Sequence, residues 1–482
     1  MNPKSIITVL ALLAATNTEA AIKLPSVIAD NMVLQQRSNV NIWGKATPGK
    51  IITVSPSWGK DKAEATVAPD SSWTVCVSTP AAGGPYIIDI AEGKNHVTLD
   101  NVLIGEVWLC SGQSNMEMPL KGFDRQPVKN GNEVIARAKR SKPIRMFLTD
   151  KRDDQWVAQW SKTPEDDMYG VWCENTPENA AQTSAVAYYF ADYIQDVLDV
   201  PVGIMVSTLG GSRIEPWISR DALAHDFPGI NLTFLDNSAP VGSQHNDPCV
   251  LFNGKVNPLT RYGIRGFLWY QGESNRDNAG DYARLMATMA ADWRARFGGG
   301  DAMPFYFVEI APFDYESPTG QSAALLREAQ AEASGIIPNS GIVSTIDIGN
   351  HNFIHPVDKA TVGQRLAWMA LADTYGVRGI ASHSPQYAGH EIKDGKIYIN
   401  VTVTPNSLCP MWTSLEGFEI AGADGVYHPA FAEIETESCR LAVSSADVPE
   451  PKHVRYAFCN TPEFSVYSSF GLPLLPFRTD KK

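Results

Sequence analysis

The sequence predicts an α/β domain with an all-β region on either side, and three observations support this prediction. Residues 22–100 carry short alternating apolar and polar runs separated by Pro-Gly, Ser-Ser and Gly-Gly turns, a pattern typical of antiparallel sheets. Residues 101–376 alternate strand-like runs with helical patterns, which indicates βαβ units and a parallel sheet. Residues 385–480 return to β character. A chain of 482 residues is long enough to fold into several such domains.

Residues 1–21 precede these regions and predict a secretory signal peptide. Lys4 stands before an apolar run at 6–15, and small residues at 20 and 21 provide a cleavage site. The run is too short to span a membrane, so we prefer a signal peptide to an uncleaved anchor. We therefore expect a secreted or periplasmic protein. No later run is long and apolar enough to predict a membrane span.

The composition narrows the classes of function. A net charge of −13 argues against a nucleic-acid partner, because such a partner requires a basic surface. The seven cysteines are scattered without a CxxC pair, and the acidic and histidine residues show no metal-ligand spacing. We therefore predict neither a metal nor another cofactor. The sequence does not indicate the oligomeric state.

The three regions differ in the elements they predict. The region 22–100 is predicted to form a β-sandwich or jelly roll and contains no titratable cluster. The middle region has predicted strands at 102–109, 202–206, 266–268 and 341–346 and predicted helices at 184–194, 283–296 and 359–372. Long polar loops are predicted at 121–180 and 212–260, and loops of this length usually shape a site. The clearest predicted strand of the last region is 396–403.

Ser114 is the candidate nucleophile of the middle region. It lies in Leu-Cys-Ser-Gly-Gln-Ser-Asn-Met at 109–116, directly after the first predicted strand. A serine on a glycine-containing turn at the carboxyl end of a strand is how α/β hydrolytic folds expose a reactive hydroxyl. Gly112 permits the tight turn, and open α/β sheets bind their ligands at this end. Taken alone, this stretch is more typical of an ordinary polar turn.

Three further stretches favour the catalytic interpretation. These are Gly-Gly-Ser at 210–212 with Trp217 after it, Trp-Tyr-Gln-Gly-Glu-Ser-Asn at 269–275, and Ile-His-Pro at 354–356. With Gly-Gln-Ser-Asn-Met at 112–116, they resemble the four conserved blocks of the SGNH hydrolases, and most closely the sialate O-acetylesterase family. The resemblance implies a three-layer αβα, flavodoxin-like SGNH-hydrolase domain at 101–376, flanked by all-β domains at 22–100 and 385–480.

The resemblance also implies roles for individual residues. Ser114 would be the nucleophile and His355 its base, because a serine hydroxyl is inert at neutral pH without a base and imidazole titrates near that pH. The implied oxyanion donors are the backbone N–H groups of Ser114 and Gly211 and a side-chain amide. That amide is best assigned to Gln271, with Asn275 as the alternative.

The third member of a catalytic triad is left open. SGNH enzymes commonly carry an aspartate three residues before the histidine, where this sequence has Asn352. An asparagine can orient the imidazole but cannot stabilise imidazolium by charge. Asp347 and Glu273 are the acidic alternatives. We therefore expect a Ser–His dyad with a helper drawn from Asp347, Asn352 and Glu273.

The resemblance, with the signal peptide, implies an exported carbohydrate O-acetylesterase whose substrate is an O-acetylated sialic acid. One alternative is deacetylation of a plant polysaccharide such as xylan. Another is a non-catalytic carbohydrate-binding protein on a hydrolase scaffold, although the joint presence of Ser114, Gln271 and His355 argues against it. A lipase or peptidase is disfavoured, because the sequence lacks a broad apolar lid segment and a peptide-binding signature.

Overall fold

The computed structural model describes residues 22–149, 151–152, 155–156, 159–237, 245–402, 407–435, 437–438 and 440–481. The predicted signal peptide at 1–21 lies outside the described residues. Among the residues described, no helix has both the length and the apolar character needed to cross a bilayer.

The amino-terminal part is built mainly from antiparallel strands, although its first strand pairs in parallel with the 18-residue strand at Asn95–Gly112. In chain order they are β1 (Val33–Gln35), β2 (Asn39–Lys45), β3 (Ile51–Pro56), β4 (Ala63–Thr66), β5 (Ser72–Ser78), β6 (Gly83–Glu92) and β7 (Asn95–Gly112). β2 pairs with β5, β3 pairs with β4 and β6, and β6 pairs with β7. In β5 the buried residues alternate at Trp73, Val75 and Val77, so one face of the strand packs on the core.

The middle part alternates strands and helices, as the sequence predicts. Its elements are α1 (Ser114–Glu117), α2 (Gly131–Arg137), β8 (Ile144–Thr149), β9 (Lys151–Arg152), β10 (Gln155–Trp156), β11 (Gly170–Glu174), α3 (Pro177–Gln182), α4 (Ala185–Leu198), β12 (Val202–Thr208), α5 (Arg220–Asp226), β13 (Gly266–Tyr270), α6 (Tyr282–Phe297), β14 (Phe305–Val308), α7 (Ser322–Ile336), β15 (Ser340–Val343) and α8 (Lys359–Met369). Short 3₁₀ segments lie at Glu215–Trp217, Thr233–Asp236, Asn257–Leu259, Glu273–Asp281 and Gly300–Ala302, and π-helical segments at Phe252–Val256 and Ala370–Thr374.

The sheet of the middle part has the strand order β11-β8-β12-β7-β13-β14-β15. All neighbours in this order are parallel except β11 and β8, which are antiparallel. The prediction of a mixed α/β region is therefore confirmed. β7 lies between β12 and β13, and its last residue, Gly112, pairs with Thr208 on one side and Tyr270 on the other. The carboxyl ends of these three strands thus meet at one place, where open α/β sheets bind ligands.

Side chains of β7 alternate between two hydrophobic clusters. Val107 and Leu109 belong to a cluster shared with α6 and α7, whereas Trp108 and Cys110 belong to one shared with α4 and α8. All four side chains are completely buried. The strand is therefore fixed from both faces, and this rigidity extends to the turn that follows it.

β7 also joins the amino-terminal and middle parts of the fold. Its first half pairs with β6, and residues 106–112 pair with β12. The predicted division between residues 100 and 101 falls inside this single strand and remains a prediction. The predicted loop 121–180, by contrast, is wrong in part, because it contains β8 and β11, two strands of the central sheet.

The carboxyl-terminal part is again all β. Its strands are β16 (Tyr387–Lys393), β17 (Lys396–Val401), β18 (Leu408–Cys409), β19 (Phe418–Ala421), β20 (Tyr427–Pro429), β21 (Phe431–Ile434), β22 (Leu441–Ser444), β23 (His453–Tyr456), β24 (Tyr467–Ser468) and β25 (Phe477–Arg478). They include two four-stranded sheets, β16-β17-β22-β21 and β20-β19-β23-β25, which share one hydrophobic cluster. An ion pair of 2.9 Å between Arg478 and Glu328 connects this part to α7.

Candidate active site

Ser114 lies at the carboxyl end of β7, two residues beyond Gly112, and begins the short helix α1. Gly112 has a φ of +138°, and a Cβ built on it would lie 2.2 Å from the carbonyl oxygen of Tyr270. Only glycine fits this close approach between the backbones of two neighbouring strands. The turn therefore leaves the sheet at a fixed angle, and Ser114 is held over the strand ends.

His355 meets Ser114 across the top of the sheet. Its Nε2 atom lies 2.8 Å from the Oγ atom of Ser114, although the two residues are 241 positions apart. His355 comes from the segment between β15 and α8. α8 begins directly after it with Asp358 as its N-cap, whose carboxylate accepts the backbone N–H of Thr361. The structure thus brings together the two residues that the sequence analysis paired.

The other imidazole nitrogen of His355 contacts Gln126. Nδ1 lies 2.5 Å from the side-chain oxygen Oε1 of Gln126. Because an amide oxygen only accepts hydrogen bonds, Nδ1 carries the proton and the lone pair of Nε2 faces the Ser114 hydroxyl. The ring of Phe123 packs edge-on against His355, with 5.4 Å between the centroids. Gln126 and Phe123 come from one loop, in which their backbone groups exchange two hydrogen bonds of 3.0 Å.

The three helper candidates named from the sequence have other partners. Asp347 forms a bidentate ion pair of 2.6 and 2.7 Å with Arg365. Asn352 is exposed, and its backbone N–H donates to the side chain of Asn350. Glu273 is buried and accepts a hydrogen bond from Asn115. The position expected for a triad carboxylate is held by a neutral amide that no sequence motif marks.

The surroundings of His355 favour its neutral form. Burial lowers its pKa to about 4, and the positive charge of Lys359 lowers the pKa in the same direction. At neutral pH the imidazole is therefore uncharged and can accept a proton.

The glycine loop after β12 lies directly against Ser114. A Cβ built on Gly210 would lie 3.5 Å from the Cβ of Ser114 and 3.1 Å from Oε2 of Glu117. Gly211 is exposed, with a φ of +72°, and a Cβ on it would meet only Nε2 of His245, at 3.7 Å. The backbone of this loop can therefore be approached closely by a molecule bound at Ser114.

The side-chain amides of Gln271 and Asn275, both in the 269–275 stretch, hold the backbone of the glycine loop and of the residues after it. Nε2 of Gln271 donates to the carbonyl of Ser212 at 3.0 Å and to Oδ1 of Asn275 at 2.8 Å. Asn275 accepts the backbone N–H of Ile214 at 2.9 Å and donates to Glu215 at 3.0 Å. Both amide hydrogens of Gln271 thus already have acceptors. This differs from the direct oxyanion contact expected of Gln271, because the fully buried amide acts on the loop.

A cavity of about 380 Å³ opens beside the dyad. Phe123, which contacts His355, and Leu209, which precedes the glycine loop, both line it. Its polar lining includes the side chains of Glu117, Lys121 and Gln182. A cavity of this size, lined by both polar and apolar side chains, suits a sugar-sized molecule with several hydroxyl groups.

A serine hydroxyl paired with a neutral, oriented imidazole at the strand ends of an α/β sheet is the arrangement of serine ester hydrolases. The family model described as "Carbohydrate esterase, sialic acid-specific acetylesterase" matches residues 104–372 of the chain, and the chain belongs to this family. The family resemblance seen in the sequence is thereby confirmed, and the protein is a carboxylic ester hydrolase.

Individual relatives agree with this family. The chain is 28% identical over 452 residues to a sialate O-acetylesterase of Mus musculus, covering 82% of this chain and 81% of the relative. It is 28% identical over 410 residues to one of Homo sapiens, with coverages of 79% and 76%. A crystal structure of a carbohydrate acetylesterase from Xanthomonas citri superposes with a TM-score of 0.85 at 32% identity, covering 96% of this chain and 100% of that one.

Proposed function

We propose that this protein is an exported O-acetylesterase of carbohydrates that uses Ser114 as its nucleophile. The observation that carries the proposal is the 2.8 Å contact between Ser114 Oγ and His355 Nε2, with Gln126 at the opposite nitrogen. Within this proposal the middle region, 101–376, is a three-layer αβα domain of the SGNH-hydrolase type. The domain divisions at residues 22–100 and 385–480 belong to the same proposal.

The first half of the reaction forms an acetyl-enzyme. Ser114 Oγ attacks the acetyl carbonyl carbon while His355 Nε2 takes the hydroxyl proton. The tetrahedral intermediate then collapses, and the bond from the acetyl carbon to the sugar oxygen breaks. The leaving sugar oxygen receives the proton from Nε2. In the second half, His355 removes a proton from water, the resulting hydroxide attacks the acetyl carbon, and acetate leaves as Ser114 regains its proton.

Oxyanion stabilisation is assigned to backbone N–H groups of Ser114 and Gly211. The first lies at the start of α1, and the second lies next to Gly210, which packs against Ser114. Gln271 contributes by holding the carbonyl of Ser212, and Asn275 by holding the backbone N–H of Ile214. Loss of one oxyanion donor costs on the order of 10²–10³ in kcat.

Gln126 is proposed as the third member in place of Asp347, Asn352 or Glu273. Its amide oxygen fixes the tautomer and orientation of His355 without contributing a negative charge. Imidazolium formed during the reaction is therefore less stabilised than in a carboxylate triad, in line with the lowered pKa of His355.

The acyl group is assigned as acetyl and its carrier as a sugar. The mammalian relatives are sialate O-acetylesterases, and the solved relative is a carbohydrate acetylesterase. These names support O-acetylated sialic acid as the first candidate substrate, with acetylated xylan as the alternative. Export to the periplasm or the medium is proposed from the charged, apolar and small-residue pattern of residues 1–21.

Acetate release from a panel of O-acetylated sialosides and xylans tests the proposal. We expect release from at least the sialosides and at least a 10³-fold lower rate for Ser114→Ala. Release from xylan alone would replace the substrate and leave the mechanism in place. Equal rates for the wild type and Ser114→Ala would remove Ser114 as the nucleophile.

A further inference from the structure

One buried side chain, Asn115, connects the segments that carry both reacting groups. Its Nδ2 group donates to Oε1 of Glu273 at 2.5 Å and to the backbone carbonyl of Ile354 at 3.1 Å. Its Oδ1 accepts a hydrogen bond of 2.5 Å from Nζ of Lys359. Asn115 follows Ser114 and Ile354 precedes His355, so this amide ties together the backbones next to the nucleophile and the base.

The two ionisable groups of this network are both withdrawn from solvent. The side chain of Lys359 is completely buried, and Glu273 is 2% exposed. Nζ of Lys359 also lies over the ring of Tyr270, 5.8 Å from its centroid. Burying a lysine and a glutamate costs free energy unless their polar groups find partners. Both contact Asn115, the residue next to the nucleophile, and this shared contact gives their placement a functional reason.

We propose that Lys359 and Glu273, acting through the amide of Asn115, are positioning residues that set the distance between Ser114 and His355. Lys359 donates to Oδ1 of Asn115 and Glu273 accepts from its Nδ2, so the Asn115 amide cannot rotate. The second hydrogen on Nδ2 of Asn115 then holds the backbone carbonyl of Ile354. The proposal rests on the function proposed above, because it assigns these residues to the serine–histidine reaction.

Lys359 also acts on the charge of the imidazole. His355 is contacted by the Ser114 hydroxyl from α1, by Gln126 and Phe123 from the 119–128 loop, and electrostatically by Lys359 from α8. Of these, Lys359 is the cationic group. Burial lowers the pKa of Lys359 to about 7, and Glu273 opposes this decrease. Removing the lysine therefore removes both a hydrogen-bond donor and a positive charge near His355.

The test compares Lys359→Met, Glu273→Gln and the double variant. Lys359→Met takes the donor from Asn115, and we expect kcat to fall about 10²-fold with little change in KM, the cost of a misplacement near 1 Å. The acid limb of the kcat/KM profile should move to higher pH. Glu273→Gln keeps an oxygen that accepts from Asn115 but loses the charge beside Lys359, so its kcat should fall clearly less than that of Lys359→Met.

The double variant separates positioning from charge compensation. It contains neither buried ionisable group, so it should regain the thermal stability lost in Lys359→Met, yet its kcat should stay low because Oδ1 of Asn115 still lacks its donor. A double variant with wild-type kcat would overturn the proposal, as would a folded Lys359→Met with wild-type kcat and an unmoved acid limb. If Lys359→Met does not fold, the double variant decides alone.

Arg294→Met is the matched control. Arg294 is also a buried cation, but it donates to the carbonyls of Pro338 and Asn339 at the start of β15, the end of the sheet away from Ser114. We expect a loss of stability with kcat and the pH profile unchanged. An active Ser114→Ala would overturn the proposed function itself, which distinguishes that failure from a failure of the positioning role.

Discussion

Nδ1 of His355 lies 2.5 Å from Oε1 of Gln126, so a neutral amide occupies the place in which many serine hydrolases have a carboxylate. The contact fixes which nitrogen carries the proton and thereby aims Nε2 at Ser114. It supplies no counter-charge for imidazolium.

Replacing Gln126 should affect the pH profile in a way that depends on charge. Gln126→Ala removes the acceptor for Nδ1–H, and we expect kcat to fall about 10²-fold because the ring loses its orientation. Gln126→Glu introduces a carboxylate, which should raise the pKa of His355 and move the acid limb of kcat/KM upward. The measurement is the steady-state rate between about pH 3.5 and 8, a range that covers the pKa of His355 in the wild type and its raised value in Gln126→Glu. An unchanged profile for Gln126→Glu would contradict the contact.

The wild-type enzyme should keep its activity in moderately acidic solution. The base must be neutral to work, and the pKa of His355 is lowered to about 4. We expect kcat/KM to be level from about pH 5 upward and to fall about tenfold per pH unit below about pH 4.

The same pKa shift affects the stability of the fold. In the unfolded chain, His355 binds its proton at the ordinary pKa of 6.5. Stability should therefore decrease as the pH falls from 6.5 through 4, because the unfolded state then binds more protons. An acid limb near pH 6.5 would contradict a buried imidazole.

Asp347 should matter for stability and leave the chemistry unchanged. Its carboxylate pairs with Arg365 and both side chains are largely withdrawn from solvent, so Asp347→Asn should cost about 3 kcal/mol of unfolding free energy. The acid limb should stay in place. Asn352→Ala is the companion variant, with no expected effect because Asn352 is exposed. Denaturant unfolding and rate profiles check both, and a shifted acid limb in Asp347→Asn would reinstate the aspartate as the helper.

Gly112→Ala should damage both folding and activity. The added Cβ would lie 2.2 Å from the carbonyl oxygen of Tyr270 at a φ of +138°, so the strand and the nucleophile turn must separate. We expect a loss of at least about 1–3 kcal/mol together with a reduced kcat. Gly335→Ala is the control, since Gly335 lies in α7 with open space around it and alanine favours helix by up to about 1 kcal/mol.

Much of the fold and the dyad could be predicted from the sequence because local patterns carry them. The helical periodicity at 184–194 and 283–296 corresponds to α4 and α6, and the apolar run at 102–109 lies within β7. The order of the motifs placed Ser114 and His355 at the same edge of the sheet, since parallel strands bring their carboxyl ends together.

Features that depend on distant partners could not be predicted in this way. β8 could not be recognised because the charged residue Arg145 interrupts its apolar run. Arg145 finds its partners on other strands, Glu174 of β11 and Asn101 of β7, each 3.4 Å away. Gln126 lies in a polar loop without a motif, and its role depends on a residue 229 positions later. Gln271 was expected to point at the substrate, but Ser212 and Asn275 take both of its amide hydrogens.

The central claim is that the Ser114 hydroxyl, activated by His355, carries the acetyl group. The most direct measurement is the reaction with a serine-reactive fluorophosphonate, followed by peptide mass spectrometry and by p-nitrophenyl acetate hydrolysis. We predict a single adduct on Ser114, a much slower adduct in His355→Ala, and neither adduct nor hydrolysis in Ser114→Ala. An adduct on another residue, or full hydrolysis by Ser114→Ala, would contradict the claim.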